Sequence, residues 1–570
     1  MAKTRFLLCW LPLSLAVALV SCGNQPQTDQ DTVAANNTAN VSARPFPADT
    51  LYSLLVAETA VNRGQLDIAL ANYYQQAYKT RDVGVVRRAT LLAEYLHASQ
   101  AALDLAQLWS DIEPQNPEPV YLAGQYLVTF QRLDLAMQKS QRLLDLQAQT
   151  LFIPIAISPA ASDTKTQAAL LKNYQALLQQ HPDNVDLLLG YAALLQLQGN
   201  YDESLANVER ALKIDDKNLQ ARLFEVDAFY KAGRPDKALK RMAAVVEDDP
   251  ENNRLRMQYA QMLTEQDLEK AREQFDFMAQ RNSLEPDLLL SRALVNYRLN
   301  DRVQAKDLFE QLLFLKHHVD TAQYYLGEIS LANQEPAKAL EHYRRVEGGK
   351  EYVPAATHAF DLMVQQNRRL EGQQWLAEQR NLHPDQALQL YMIEANILLK
   401  HDDIPRCLAA LNEAVKKFPE QPELYYARSL LNEKLNNIPA AEADLRFVLT
   451  KQPDNVDALN ALGYMLANNN QQLDESFKLL TRALTLSPDN PAILDSMGWA
   501  LYRMGQPEEA ILRLKKSFTL DPNDEVAAHL GEVLWNVGKR SEANAIWQQG
   551  LRLKTDSKII AATRKRLLAH

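Results

Sequence analysis

Cysteine, glycine and long apolar runs are all scarce in this chain of 570 residues, and each shortage excludes something. There are three cysteines, Cys9, Cys22 and Cys407. Cys9 and Cys22 fall in an N-terminal segment of special character, so Cys407 stands alone and no disulfide framework is available. It reads as a small buried helix residue. Only 17 glycines are present, and the body has no Gly- or Ser-rich linker. Glycine is costly in helices and frequent in hairpin turns, so a Gly-poor chain rich in Ala, Leu, Gln and Glu reads as helical throughout. Beyond the first residues no stretch approaches the roughly 20 apolar residues that a bilayer span requires. Net positive charge is lacking too: the balance is −10. Such a chain repels phosphate backbones, which argues against a nucleic-acid partner. The basic stretch Arg552, Lys554, Lys558, Arg564, Lys565 and Arg566 is the local exception, and it reads as the solvated face of a terminal helix.

Catalytic signatures are equally scarce. There is no Gly-rich phosphate loop, HExxH, CxxC or GxSxG. His317-His318 with Asp320 is the one histidine pair. Neighbours on a helix point about 100° apart and chelate poorly. No catalytic residue, cofactor or metal site is expected, and the chain reads as a non-enzyme.

What is present begins at the N-terminus. Lys3 and Arg5 precede an apolar run from Phe6 to Val20, too short for a membrane span but suited to a secretion signal. It ends in Leu19-Val20-Ser21-Cys22-Gly23, which resembles the lipobox of bacterial lipoproteins. The resemblance implies cleavage before Cys22 and acylation of that residue, so 1–21 is a signal peptide. Gly23, where Asp would favour inner-membrane retention, implies the outer membrane, facing the periplasm. Residues 22–49 then form the lipidated cysteine and a polar tether of Asn, Gln, Thr, Asp and Ala, unable to bury a core. By random-coil scaling the tether spans roughly 30 Å.

The body repeats. Pro182, Asp216 and Pro250 are spaced by 34 and 34; Pro384, Pro419, Pro453, Pro488 and Pro522 by 35, 34, 35 and 34. Several of these prolines open a Pro-Asp-Asn triplet (Pro182-Asp183-Asn184, Pro453-Asp454-Asn455, Pro488-Asp489-Asn490), which stops one helix and caps the next. Small residues recur twelve apart: Gly327 and Ala339, Ala293 and Ala305, Gly498 and Ala510, Gly531 and Ala543, and, more loosely, Ala57 and Ala69, Gly124 and Ala136. Turn signals lie between them at Gly199, Gly233, Gly505 and Gly538. The spacing, with the block ALYRMGQPEEAILRLKKSFTLDP from Ala500 to Pro522, resembles the tetratricopeptide repeat (TPR). The resemblance implies an all-α superhelical solenoid of TPR helical hairpins, about eleven to fourteen helix pairs in one elongated array. Degenerate pairs occupy 50–149, the main solenoid 165–555 and a capping helix 556–570.

One segment breaks the period. Residues 150–164 are apolar and β-branched, with Pro154 and Pro159. They read as a non-helical insertion that either packs along the array or offers Phe152, Ile153 and Ile155 to a partner. Elsewhere the TPR resemblance assigns the groove-facing positions. These are three before the first small residue, and one, four and five after it. It thereby singles out Asp227, Tyr230, Lys231, Tyr297, Arg298, Tyr324, Asn460, Tyr464, Asp495, Tyr502 and Arg503 as candidate partner contacts, rich in the Tyr and Arg that anchor interfaces.

Lipobox, length, repeat number and the block from Asn460 to Trp547 together resemble the TPR-rich outer-membrane lipoproteins of gammaproteobacteria. One of these, in pseudomonads, partners a periplasmic carboxyl-terminal processing protease. The resemblance implies a membrane-held adaptor for such a serine protease, with peptidoglycan hydrolases as the substrates gathered to it. An assembly factor for outer-membrane proteins or pili is the alternative, though those proteins are usually shorter.

Overall fold

A computed structural model describes residues 46–568. The signal segment, Cys9, Cys22 and nearly all of the tether lie outside them. Every regular element among the described residues is helical. None of these helices is long and apolar enough to cross a membrane. The fold divides between Ser283 and Leu284 into two compact units. The first holds six complete helical hairpins and one truncated hairpin. The second holds eight complete hairpins followed by a single helix, Lys558–Leu568.

Local sequence sets each hairpin. The Asn of the Pro-Asp-Asn triplets is the N-cap of the next first helix. Asn184 Oδ1 accepts from the N–H of Leu187 at 2.9 Å, and Asn455 Oδ1 from that of Ala458 at 2.9 Å. Asn490 caps the Pro491–Arg503 helix in the same way. Each cap satisfies a backbone donor that the helix itself leaves open. The first helix ends in a residue of left-handed conformation, glycine at Gly199 (φ 79°) and Gly505 (φ 81°), but Gln at Gln334 (φ 62°) and Asn at Asn436 (φ 59°). The following N–H then reaches back along the helix, as from Gln506 to the Leu501 carbonyl at 2.9 Å.

The twelve-residue pairs mark the crossing of the two helices. A Cβ added at Gly498 would stand 2.6 Å from Leu514 Cγ and 3.2 Å from the Ala510 carbonyl oxygen. At Gly531 it would stand 2.1 Å from the Trp547 indole nitrogen. Small residues recur because the backbones leave no room for larger ones. Cys407 is buried at its own crossing, its thiol donating to the Ala395 carbonyl at 3.2 Å. Burial, then the nearby Glu394 and Asp403, pushes that thiol up to about 11, so it is inert.

The 150–164 segment departs from its sequence reading. It contains a short α-helix, Phe152–Ala156, and a 3-10 turn, Pro159–Ser162. Leu151, Phe152, Ile155 and Ala156 are wholly buried and Ile153 nearly so. Phe152, Ile153 and Ile155 therefore offer nothing to a partner, because they are core. The Phe152–Ala156 helix packs on the Val185–Leu197 helix, the place a first helix takes against the next first helix. The Thr164–Gln180 helix packs on it as a second helix does. The segment is a repeat whose first helix has shrunk, with Pro159 ending it, rather than an insertion between repeats.

Candidate interaction face

In the second unit, successive first helices lie side by side. Val456–Asn468 packs on Pro491–Arg503, that on Asp524–Asn536, and that on Lys558–Leu568. Their shared face gathers polar and aromatic groups. His529 Nδ1 stands 3.0 Å from both carboxylate oxygens of Asp495, and both side chains are buried. The Trp499 ring stacks on His529 at 4.3 Å, and the Tyr464 ring lies 6.0 Å away. Trp499 Nε1 donates to Asn468 Oδ1 at 3.3 Å, and Asn536 Nδ2 to the Tyr502 hydroxyl at 2.7 Å. Arg566, from the terminal helix, donates to Glu532.

Opposed effects set the charge of His529. Burial alone would push its pKa down. The Asp495 carboxylate, by charge and hydrogen bond, outweighs burial with help from Glu525 and Glu532, so the pKa rises. The Tyr464 hydroxyl is raised by burial first and then by the Glu525 and Asp495 charges. Tyr502 is raised by burial and by Glu532. Asn460 Oδ1 and Arg503 Nε are enclosed without a hydrogen-bond partner within the chain.

The structure thus brings Asn460, Tyr464, Asp495, Tyr502 and Arg503 onto one face of adjacent helices. Asp495 is the exception in accessibility. It is 7% exposed and turned to His529, so it orders the face rather than contacting a partner. Asp227 is corrected in the same sense. At 1% exposed it lies inside the first unit, where Lys231 Nζ holds one oxygen at 2.7 Å. Tyr230 is half-buried and Lys231 exposed beside it.

Tyr297, Arg298 and Tyr324 lie farther along, at the start of the second unit. Tyr297 and Tyr324 join one ring cluster through Tyr325, at 4.9 and 5.3 Å, and Tyr324 reaches Tyr343 at 6.0 Å. Tyr343 donates to Glu328 at 2.5 Å and stacks on His358 at 5.2 Å. Arg298 is exposed at the edge of this cluster. His318 bonds Asp287 at 2.8 Å. Among the described residues no three His, Cys, Asp or Glu side chains are grouped to hold a metal.

Trp499, His529 and Glu532 were missed from sequence. A signal existed for two of them, since Trp499 and Glu532 each follow a crossing glycine by one residue. His529 occupies no such offset.

Comparison with known proteins finds the same repeat. Models described as tetratricopeptide repeat match residues 195–262 and, separately, 171–218, 290–354, 394–446 and 433–491. A TPR repeat-containing protein of Pseudomonas aeruginosa is 39% identical over 532 residues, covering 91% of this chain and 89% of that protein. Bacteriophage adsorption protein A of Escherichia coli is 31% identical over 97 residues, 17% of this chain and 10% of its own. Among solved structures, a tetratricopeptide repeat protein of Parabacteroides merdae matches at 17% identity and a TM-score of 0.34, over 44% of this chain and 99% of that one. Repeats of this kind serve as protein-binding scaffolds, and proteins built from them are typically non-catalytic. The chain belongs to the tetratricopeptide-repeat family.

Proposed function

We propose that this scaffold is a periplasmic adaptor, held at the outer membrane through acylated Cys22, that docks a carboxyl-terminal processing protease and gathers peptidoglycan hydrolases to it. The observation that carries a docking role is the face formed by the half-buried Asn460, Tyr464, Tyr502 and Arg503, with the buried Trp499 behind it. It sets the partly exposed rings of Tyr464 and Tyr502 beside Asn460 and Arg503 on adjacent helices. The protease class rests on the resemblance of the Asn460–Trp547 block to the lipoprotein adaptors, and the location on the lipobox. Holding enzyme and substrate on one tethered body raises the effective concentration of each for the other, without chemistry of its own.

The test is recovery of partners from periplasmic extract with the purified chain, alongside a Tyr464→Ala/Tyr502→Ala/Arg503→Ala variant. The expected result is a serine protease of the processing class with the parent chain, and at least tenfold less with the variant. Equal recovery by both would remove the face from the proposal. Barrel-assembly or pilus proteins in place of a protease would overturn the adaptor role.

A further inference from the structure

The two terminal helices differ in what they show to solvent. Lys558–Leu568 presents Lys558, Lys565 and Arg566, the polar outer surface that end repeats need. The first helix, Ala48–Asn62, does the opposite. It packs on the Leu66–Thr80 helix, and no described helix precedes it. On its uncovered side Leu51 is 50% exposed, Tyr52 70% and Leu55 58%, with Phe46 just before it at 36%. Position 55 lies about one helical turn beyond both 51 and 52, so the three share one side of the helix. The neighbouring acids are neutralised within the chain: Asp49 is paired with Lys79, and Glu58 with Arg88 at 3.6 Å.

Resting on the lipid anchor proposed above, we infer that this face of the Ala48–Asn62 helix seats on the lipid surface, with Tyr52, Leu51 and Leu55 in the headgroup–acyl boundary. Three observations choose this occupant. The patch is a few side chains wide, whereas a stable protein interface takes about 20–30 residues a side, so a second copy is a poor fit. Tyrosine flanked by leucine is the pairing that partitions into a bilayer interface, its ring amphipathic and its neighbours apolar. The chain from Cys22 to Ala48 is 26 residues, which at full extension carries this helix no more than about 90 Å from an acylated Cys22. A shallow contact too weak to hold a free protein is then supplied at high local concentration by the anchor. The tether end is thereby seated on the membrane instead of roaming.

The full acylated chain is reconstituted into phosphatidylethanolamine–phosphatidylglycerol vesicles, with an environment-sensitive dye on Leu55→Cys or, as control, on Leu512→Cys. Leu512 is 69% exposed in the second unit, and Cys407 is buried and escapes labelling. The expected result is a blue shift at position 55 and severalfold stronger quenching there than at 512 by acyl-chain nitroxide lipids. Tyr52→Ser with Leu51→Ser should abolish the difference. Equal quenching at both positions, on protein that floats with the vesicles, would overturn the seating while leaving the anchor intact. Protection of position 55 that grows with protein density and persists without nitroxide contact would assign the face to a second copy. Failure of the chain to float would overturn the anchor, and the seating with it.

Discussion

The hairpin of Phe152–Ala156 with Thr164–Gln180 and the hairpin of Pro491–Arg503 with Pro507–Leu520 fill the same role by different means. The second spreads its burial along two full helices and relies on Gly498 to let them cross. The first has five helical residues where the other has thirteen, and nearly all of its side chains are buried. Leu151 fills the notch left by Gly124 in the preceding hairpin, and its N–H donates to Ser140 Oγ at 2.9 Å. The Tyr174 hydroxyl, itself buried, donates to the Phe152 carbonyl. The Thr150 hydroxyl donates to Asp186 at 2.5 Å. Apolar density and a few buried hydrogen bonds thus replace helix length. What the repeat conserves in space is the place where helices cross, not the number of residues that reach it.

The largest expected effect falls on the short helix. Phe152→Ala should destabilise the first unit by about 3–5 kcal/mol, by lost burial and the cavity left behind. Leu512→Ala, on the exposed side of the regular hairpin, should fall within about 0.5 kcal/mol of the parent. Chemical denaturation reads both, and near-equal values would break the comparison. Next in size are the crossing glycines. A Cβ at Gly190 would meet the Tyr174 ring at 2.5 Å and the Phe152 carbonyl oxygen at 3.1 Å, both fixed by their mutual hydrogen bond. At Gly498 its nearest neighbour is the Leu514 side chain, an aliphatic group that no hydrogen bond holds in place. Gly190→Ala should cost about 2–3 kcal/mol and Gly498→Ala about 1–2 kcal/mol. The reverse order would mean that the truncated hairpin adapts more readily than its packing implies.

The regular region also carries a histidine-linked pH dependence. The folded pKa of His529 is raised above its unfolded value, so its contribution is complete below an unfolded pKa of about 6.5. It is lost as pH rises through the folded pKa. The denaturation midpoint of the second unit should therefore fall as pH rises above about 6.5, and His529→Gln should remove that slope. A slope retained in His529→Gln would place the titrating group elsewhere. The smallest effect is at the turns. Gln334 holds a left-handed conformation that glycine adopts freely, so Gln334→Gly should stabilise by about 0.5–1 kcal/mol. Gly505→Ala should cost a similar amount, and a shared melting-temperature assay compares the two.

The fold class was legible because its determinants are local. Pro-Asp-Asn triplets cap helices whatever surrounds them, and a crossing glycine twelve residues before an alanine has the same meaning in each hairpin. The truncated repeat was not legible. Pro154, Pro159 and the run of β-branched residues point away from helix on propensity alone, and only packing against the Val185–Leu197 helix reveals the segment as core. The interaction face was readable to the extent that offsets from Gly463 and Gly498 name residues on one side of a helix. Offsets do not say how deep a residue sits. Asp227 and Asp495 were therefore placed at the surface, where tertiary packing has buried them. His529 escaped notice because its importance lies in Asp495, thirty-four residues earlier in the chain.

The asparagine at several of the joints has an implication for how such a chain changes over generations. Asn455 and Asn490 belong to the connection behind one hairpin, yet they start the next. Because the same three-residue joint recurs, excising or duplicating a whole stretch of 34 or 35 residues brings a proper stop against a proper start. No new junction has to be invented. Length is then the most easily revised property of this protein, while the identity of the side chains along its first helices is what selection must hold to keep a given partner.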